Sequence, residues 1–196
     1  MIGATPWAAT HWLVFRATPG LIADGADQTV VPGKSGTGLQ PWPYAVTIDG
    51  IAGNVGWNIA TNVDGARDRN AAAPAQLAGI HRVANGTATR FTVDLPVGPG
   101  RYEIRLAVGD AYGAASTSPH IVIRDGATVL AVADGTAGIT GFMDATGVNR
   151  SAGNWAAQNQ PVTLSFTTPQ IIIDAGGTAT VGTTALAAIG MKYLGP

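Results

Sequence analysis

The chain has 196 residues, 46% of them hydrophobic and 12% charged, with a net charge of −1 and no cysteine. That length suits one sizeable domain, and the apolar content excludes a disordered tail protein. Dispersed basic residues exclude a nucleic-acid footprint, no run reaches the roughly 18 apolar residues of a membrane-spanning helix, and the missing cysteines remove disulfides, thiolate metal sites and cysteine nucleophiles.

Met1–Phe15 lacks the basic start and long apolar core of a secretory signal, so the chain is expected to be made in a cytoplasm. A first strand is predicted over His11–Arg16. Thr18–Pro43, rich in Gly, Asp and Pro, reads as a long loop, and a second strand follows at Tyr44–Ile48. Gly50–Ala84 reads as another long loop, with space for one or two helical turns within Ala71–Ile80. Further strands are predicted at Ala88–Leu95, Arg101–Val108, His120–Arg124, Ala127–Val132, Val162–Thr167, Ile171–Asp174 and Ala185–Tyr193, separated by Asp-Gly and Asn-Gly turn signals.

The stretch Thr89–Asp110 carries the clearest pattern. Phe91, Val93 and Leu95 share one face of its first strand. Tyr102, Ile104, Leu106 and Val108 share one face of its second, with Arg101, Glu103 and Arg105 opposite. Joined by Pro96–Gly100, the two strands are predicted to form a hairpin in an antiparallel sheet with one buried and one wetted face. A second hairpin is predicted over His120–Val132, because Asp125-Gly126 can supply positive φ angles. The expectation is an all-β fold, a single jelly-roll sandwich of antiparallel strands. Residues 1–50 form an extension with the first strands, residues 51–196 form the sandwich, and the two make one domain.

The run Phe91-Thr92-Val93-Asp94-Leu95-Pro96, then Gly100–Leu106 and Gly109-Asp110, resembles the core of malectin-like, galactose-binding-like β-sandwich domains. Gly56-Trp57, Asn62-Val63-Asp64-Gly65, Arg67-Asp68-Arg69-Asn70 and Leu77–Ile80 resemble the loop before that core in modules beside bacterial polysaccharide esterases and lyases. Val162–Phe166 and Ala188–Met191 suit its later strands. The resemblance implies a jelly roll on which some members bind sugars through loops or a concave face, with contacts that vary among members. After Gly109-Asp110 comes Ala111-Tyr112-Gly113, a departure from the Gly-Asp-Ser start of the hydrolases these modules accompany.

Catalytic signatures are weak. Pro32-Gly33-Lys34-Ser35-Gly36 lacks the earlier glycine of a phosphate loop, since Gln28 holds that position. His11, His81 and His120 stand apart, without a Gly-x-Ser-x-Gly turn or metal-ligand spacing. Asp64, Asp68 and Asp110 are the loop acids available to a glycosidase pair, yet aspartate beside glycine more often shapes turns. Loop oxygens would suit calcium, but no ligand spacing is recognisable. No cofactor and no catalytic residue are therefore expected.

A glycan site remains a candidate, with Trp57, Tyr112 and Trp155 stacking on sugar rings and Asp64, Arg67, Arg69 and Asp110 binding hydroxyls. The same tryptophans would equally plug the ends of a sandwich or lie in subunit contacts. Sparse charge against an average near one quarter suggests surface buried in an assembly. These observations lead to the expectation of a non-enzymatic virion component, a bacteriophage head-surface, tail or fibre protein, with other virion subunits or itself as partner. The alternative is an extracellular module that recognises a polysaccharide or cell-surface glycan.

Overall fold

The computed structural model describes residues 7–17, 27–33, 38–58, 65–68, 75–77, 79–84, 86, 89–110, 119–135, 141–176 and 183–196. Fifteen strands fill these stretches: β1 (His11–Arg16), β2 (Gln28–Pro32), β3 (Tyr44–Ile48), β4 (Ile51–Trp57), β5 (Ala66–Asp68), β6 (Gly79–Ala84), β7 (Thr89–Asp94), β8 (Gly100–Gly109), β9 (His120–Asp125), β10 (Thr128–Asp134), β11 (Phe142–Met143), β12 (Asn149–Arg150), β13 (Val162–Phe166), β14 (Gln170–Ala175) and β15 (Thr183–Gly195). One helix, α1 (Ala152–Gln158), and a single 3-10 turn at Ala75–Leu77 complete them. The fold is an all-β sandwich, as expected from the turn-punctuated sequence.

Two long strands organise the larger, nine-stranded sheet. β15 pairs along one side with β8, and along the other with β6 through Thr183–Leu186 and β1 through Ala188–Met191. β8 in turn carries β13 and β11 on its far side. Beyond β1 lies β2, in parallel pairing. The second sheet has six strands in the order β10-β9-β14-β7-β4-β3.

The strands on either side of Pro96–Gly100 do not form the expected hairpin. β7 pairs with β4 and β14 in the smaller sheet, whereas β8 lies in the larger one. The connection crosses between layers, so Phe91 and Val93 join Tyr102, Ile104 and Leu106 in one shared core. Alternation marks the buried face of each strand but is silent on its partner, because two facing sheets and one hairpin require the same pattern.

The β9–β10 hairpin does form, with Asp125 opposite Thr128. Its turn is Gly126-Ala127, and Gly126 alone carries the positive φ, at 57°. The Asp125 side chain is used elsewhere, accepting from the backbone N–H groups of Thr167 and Thr168 at 2.8 and 3.0 Å. A second tight hairpin lies where a long loop was expected. Ile48 pairs with Ile51 across Asp49 and Gly50, at φ 50° and 76°, the double positive φ of a type I′ turn. The expected loops 18–43 and 50–84 thus contain β2, β4, β5 and β6. Alanine, glycine and asparagine in β4 hide its alternation.

The main core lies between the sheets. Phe15 meets Phe91 at 5.0 Å between ring centroids, and Trp57 meets Phe91 at 5.1 Å. A second, smaller core lies on the outer face of the larger sheet, where Val14, Ile80, Ala107, Ala185, Ala187 and Ala188 are covered by Leu77, Phe142 and Trp155. Trp155 comes from α1. At seven residues that helix is too short to be stable alone; its indole, packed against Trp12 at 5.5 Å between centroids, holds it to the sheet.

Asn159 fixes the end of the helix. β13 pairs with β8 up to Ile104 and β11 from Val108, and the Asn159 side-chain amide donates to the Leu106 carbonyl between them at 2.8 Å. Small residues on β15 make room for the indoles. A Cβ on Gly190 would stand 2.8 Å from a Trp12 ring carbon.

Trp155 therefore has a structural role that truncation exposes. Trp155→Ala is expected to lower the unfolding free energy by about 3–5 kcal/mol, the usual cost of removing a buried aromatic, measured by urea denaturation. An unchanged midpoint would show that α1 contributes nothing to the fold.

Candidate functional site

The two outer faces of the sandwich differ. That of the larger sheet is covered in part, by α1 and the 3-10 turn over β1, β6 and β15, while Arg101, Thr163 and Ser165 on β8 and β13 stay exposed. On the smaller sheet, no described helix or loop covers the outer face, and Val129 and Val132 of the edge strand β10 are 48% and 49% exposed.

Alternation places the residues of this open face. Ile121, Ile123, Phe91, Val93, Ile171 and Ile173 point into the core, so Arg124, Arg90, Thr92, Asp94, Gln170, Ile172 and Asp174 point outward. Strand order then joins them. Arg90 on β7 donates to both oxygens of Asp174 on β14, from Nε at 2.8 Å and from Nη2 at 3.1 Å. From β9, on the other side, Arg124 Nε donates to Asp174 Oδ2 at 2.7 Å. Burial alone would raise the Asp174 pKa, but the two guanidiniums outweigh it and hold the carboxyl below its ordinary value.

Further along the same face, Asp94 on β7 accepts from Asn54 Nδ2 at 2.9 Å and from Gln170 Nε2 at 3.0 Å. Polar groups from four adjacent strands thus form two separate clusters. The nearby apolar side chains follow from the register: Arg124 stands opposite Ile172 and Val129, and Asp174 opposite Val122.

The candidates chosen from sequence are distributed differently. Trp57 is 1% exposed and lies in the main core; Trp155 is 2% exposed under α1. In this structure neither indole presents a face on which a sugar can stack. Asp110 is buried at the end of β8, and Arg67 is half-buried in β5. Asp64, Arg69 and Tyr112 lie outside the described residues, as do Lys34, Ser35 and Gly36 of the glycine-rich turn. No contact between described residues joins Trp57, Arg67, Asp110 and Trp155 into one site.

The histidines and several acids hold the fold together. His81 is fully buried: the Trp57 indole N–H donates to its Nδ1 at 2.9 Å, and its Nε2–H donates to the Arg16 carbonyl at 3.0 Å. This arrangement requires the neutral ring with hydrogen on Nε2. Burial, opposed by the Arg16 hydrogen bond and by Asp68, lowers its pKa to about 4. His11 receives the Asp49 backbone N–H on Nδ1 and bonds Thr29 Oγ1 through Nε2; burial lowers its pKa against the pull of Asp49 and Asp27. His120 pairs with Asp134.

Asp68 accepts from Arg16 Nε and the Ala17 backbone, and buried Asp144 accepts from Arg150 Nε and from its own turn. Among the described residues, no group of three or more His, Asp or Glu gathers as a metal site.

Arg90, Arg124 and Asp174 were legible singly, as polar positions on predicted strands. Their meeting was not, because 84 residues separate Arg90 from Asp174 and 50 separate Arg124 from Asp174.

The class defined by this architecture is a two-sheet, antiparallel-rich β-sandwich. No family model and no curated protein matches the chain. Among solved structures it is similar to protein YXIM from Bacillus subtilis, at 16% identity and a TM-score of 0.47, over 95% of this chain and 40% of that one. The chain thus spans two fifths of the length of that structure.

Burial of His81 has a measurable pH signature. With a folded pKa of about 4 against 6.5 unfolded, the unfolded chain binds the extra proton between these values. Stability is therefore full above pH 6.5 and falls as the pH drops toward 4. The loss is about 3 kcal/mol from this residue, and His11 contributes in the same direction. Thermal melts between pH 7 and 4 check this, and His81→Gln is expected to flatten the slope. A melting temperature constant across that window would contradict the buried neutral histidine.

Proposed function

We propose that the protein is a non-enzymatic structural component of a virion, built on a carbohydrate-binding-like sandwich, that meets neighbouring subunits through its open sheet face. One observation carries the reading: the chain covers part of one outer face with its own helix, whereas among the described residues no helix or loop covers the other, which ends in an edge strand with two half-exposed valines. Thr128-Val129-Leu130-Ala131-Val132-Ala133 has no charged residue. Monomeric proteins usually blunt such an edge with lysine, proline or a covering segment; here only the shift in register between Val129 and Ala131 interrupts it. The low charge content supports the same reading. Committed to the hydrogen bonds described above, the histidines leave the sandwich to act by contact rather than by chemistry.

A glycan-binding module is the second reading, favoured by the Arg90–Asp174–Arg124 cluster on that face. On this reading, the sheet surface takes the part first given to the loop aromatics.

Sedimentation velocity and antibody labelling of purified particles test the structural role. Wild-type protein is expected to self-associate with rising concentration and to label the particle surface. Val129→Lys combined with Val132→Lys is expected to return it to monomer, with stability changed by no more than about 0.5 kcal/mol per exposed site. A wild-type monomer at every concentration, absent from the particles, would overturn the proposal.

A further inference from the structure

We infer that the Arg90–Asp174–Arg124 cluster is a carboxylate-recognition site and that its ligand is an acidic, uronate-bearing polysaccharide. This inference rests on the glycan-binding reading and names its ligand class.

Charge is the first argument. Two guanidiniums share one carboxylate, which leaves a local charge of +1 on three adjacent strands. The next acid along β7, Asp94, lies four residues away, about 13 Å at 3.3 Å per residue. That exceeds the roughly 8–10 Å over which solvent and salt let surface charges interact. His120 and its partner Asp134 lie at the opposite ends of β9 and β10 from Arg124 and Val129. Asp125, next to Arg124, lies on the opposite face by alternation and spends its carboxylate on Thr167 and Thr168. Asp174 is the acid bonded to the pair, and it is the buried member: its side chain is 9% exposed, against 44% for Arg90 and 26% for Arg124.

Geometry is the second. A guanidinium carries five N–H donors in a planar fork. Arg90 uses Nε and Nη2 on Asp174. Arg124 uses Nε on Asp174 and Nη1 on the Ala127 carbonyl. Arg90 Nη1 and Arg124 Nη2 have no partner among the described residues, so each guanidinium keeps donors for an incoming acceptor. Asp174 restrains both side chains before binding, which reduces the ordering cost of a charged contact. Two oxygens of a carboxylate match a guanidinium fork better than a lone hydroxyl does.

The surroundings favour a sugar acid over a bare anion. Half-buried Ile172 and exposed Val129 both stand opposite Arg124 in the register, offering an apolar shelf for the C–H face of a pyranose. Thr92, next outward from Arg90 on β7 and opposite Ile172, brings a hydroxyl to the same face. A carboxylate, an apolar ring face and hydroxyl groups together describe a uronate.

Affinity electrophoresis and titration calorimetry test this with three probes: polygalacturonate, its methyl-esterified form, and a neutral galactan. The expected result is binding of polygalacturonate that weakens at least tenfold on esterification and on Arg90→Gln or Arg124→Gln. Arg90→Lys, which keeps charge but loses the fork, is expected to weaken binding too. Arg101→Gln, an exposed arginine on β8 in the other sheet, is expected to leave it unchanged. Melting curves of each variant separate lost recognition from lost fold, and chemical-shift changes in wild-type protein locate the ligand independently of any substitution. Equal binding of the neutral galactan, unaffected at Arg90, would overturn the uronate inference and leave the glycan reading standing. Equal losses at Arg101 and Arg90 would also overturn it, as non-specific attraction. No binding to any of the three probes, with no shifts, would overturn the inference and count against the glycan reading as well.

Discussion

Most of the architecture depends on β15, ten of whose thirteen residues are buried, being packed on both faces. Leu186, Ile189, Met191 and Tyr193 face the space between the sheets, while Ala185, Ala187, Ala188 and Gly190 face outward beneath tryptophan. The inward residues are large because they meet a second sheet about 10 Å away. The outward ones are small because two indoles and a short helix must fit directly on the strand. A single strand thus supports two cores, and pairing on both sides ties β8, β6 and β1 to it.

This division of small and large residues makes the sandwich asymmetric. Trp12 and Trp155 close the outer face of the larger sheet, and their area goes into stability rather than recognition. Among the described residues, the smaller sheet has no such cover. Its outward positions carry a ladder of ionic and amide groups beside half-exposed valines, a surface equally suited to another protein or to a polar polymer. The two proposed roles use adjoining parts of it: the valine edge for subunit contacts, the arginine pair for an acidic ligand. Buried histidines, with rings fixed by Trp57, Arg16, Thr29 and Asp49, make the interior sensitive to acid without giving it a reactive group.

Strands with strict alternation and bulky apolar residues were legible before the structure. β1, β3, β7, β8, β9, β10, β13, β14 and β15 all fall where alternation and turn residues place them. β4 was missed because Gly53, Asn54 and Gly56 break its pattern, and β6 because Gly79-Ile80-His81 reads as a continuation of a loop. Helix α1 was missed because its stability comes from one indole under tertiary contact, and Ala-Gly-Asn carries little periodic signal. For Trp57 and Trp155 the sequence admitted two positions, stacked on a sugar or packed into the sandwich, and tertiary packing put both inside.

The amino-acid sequence by itself determined the class of fold. Alternation, Asp-Gly turns and the want of helical periodicity point to an all-β sandwich or barrel, and they mark which side of most strands is buried. Tertiary structure alone decided which strands are neighbours. The crossing at Pro96–Gly100, the covering of one face by Trp155 and the meeting of Arg90, Asp174 and Arg124 all follow from strand order. Alternation is a local property that repeats every two residues, whereas strand pairing joins residues as distant in the chain as His11 and Met191, and no periodic signal along the chain encodes that choice.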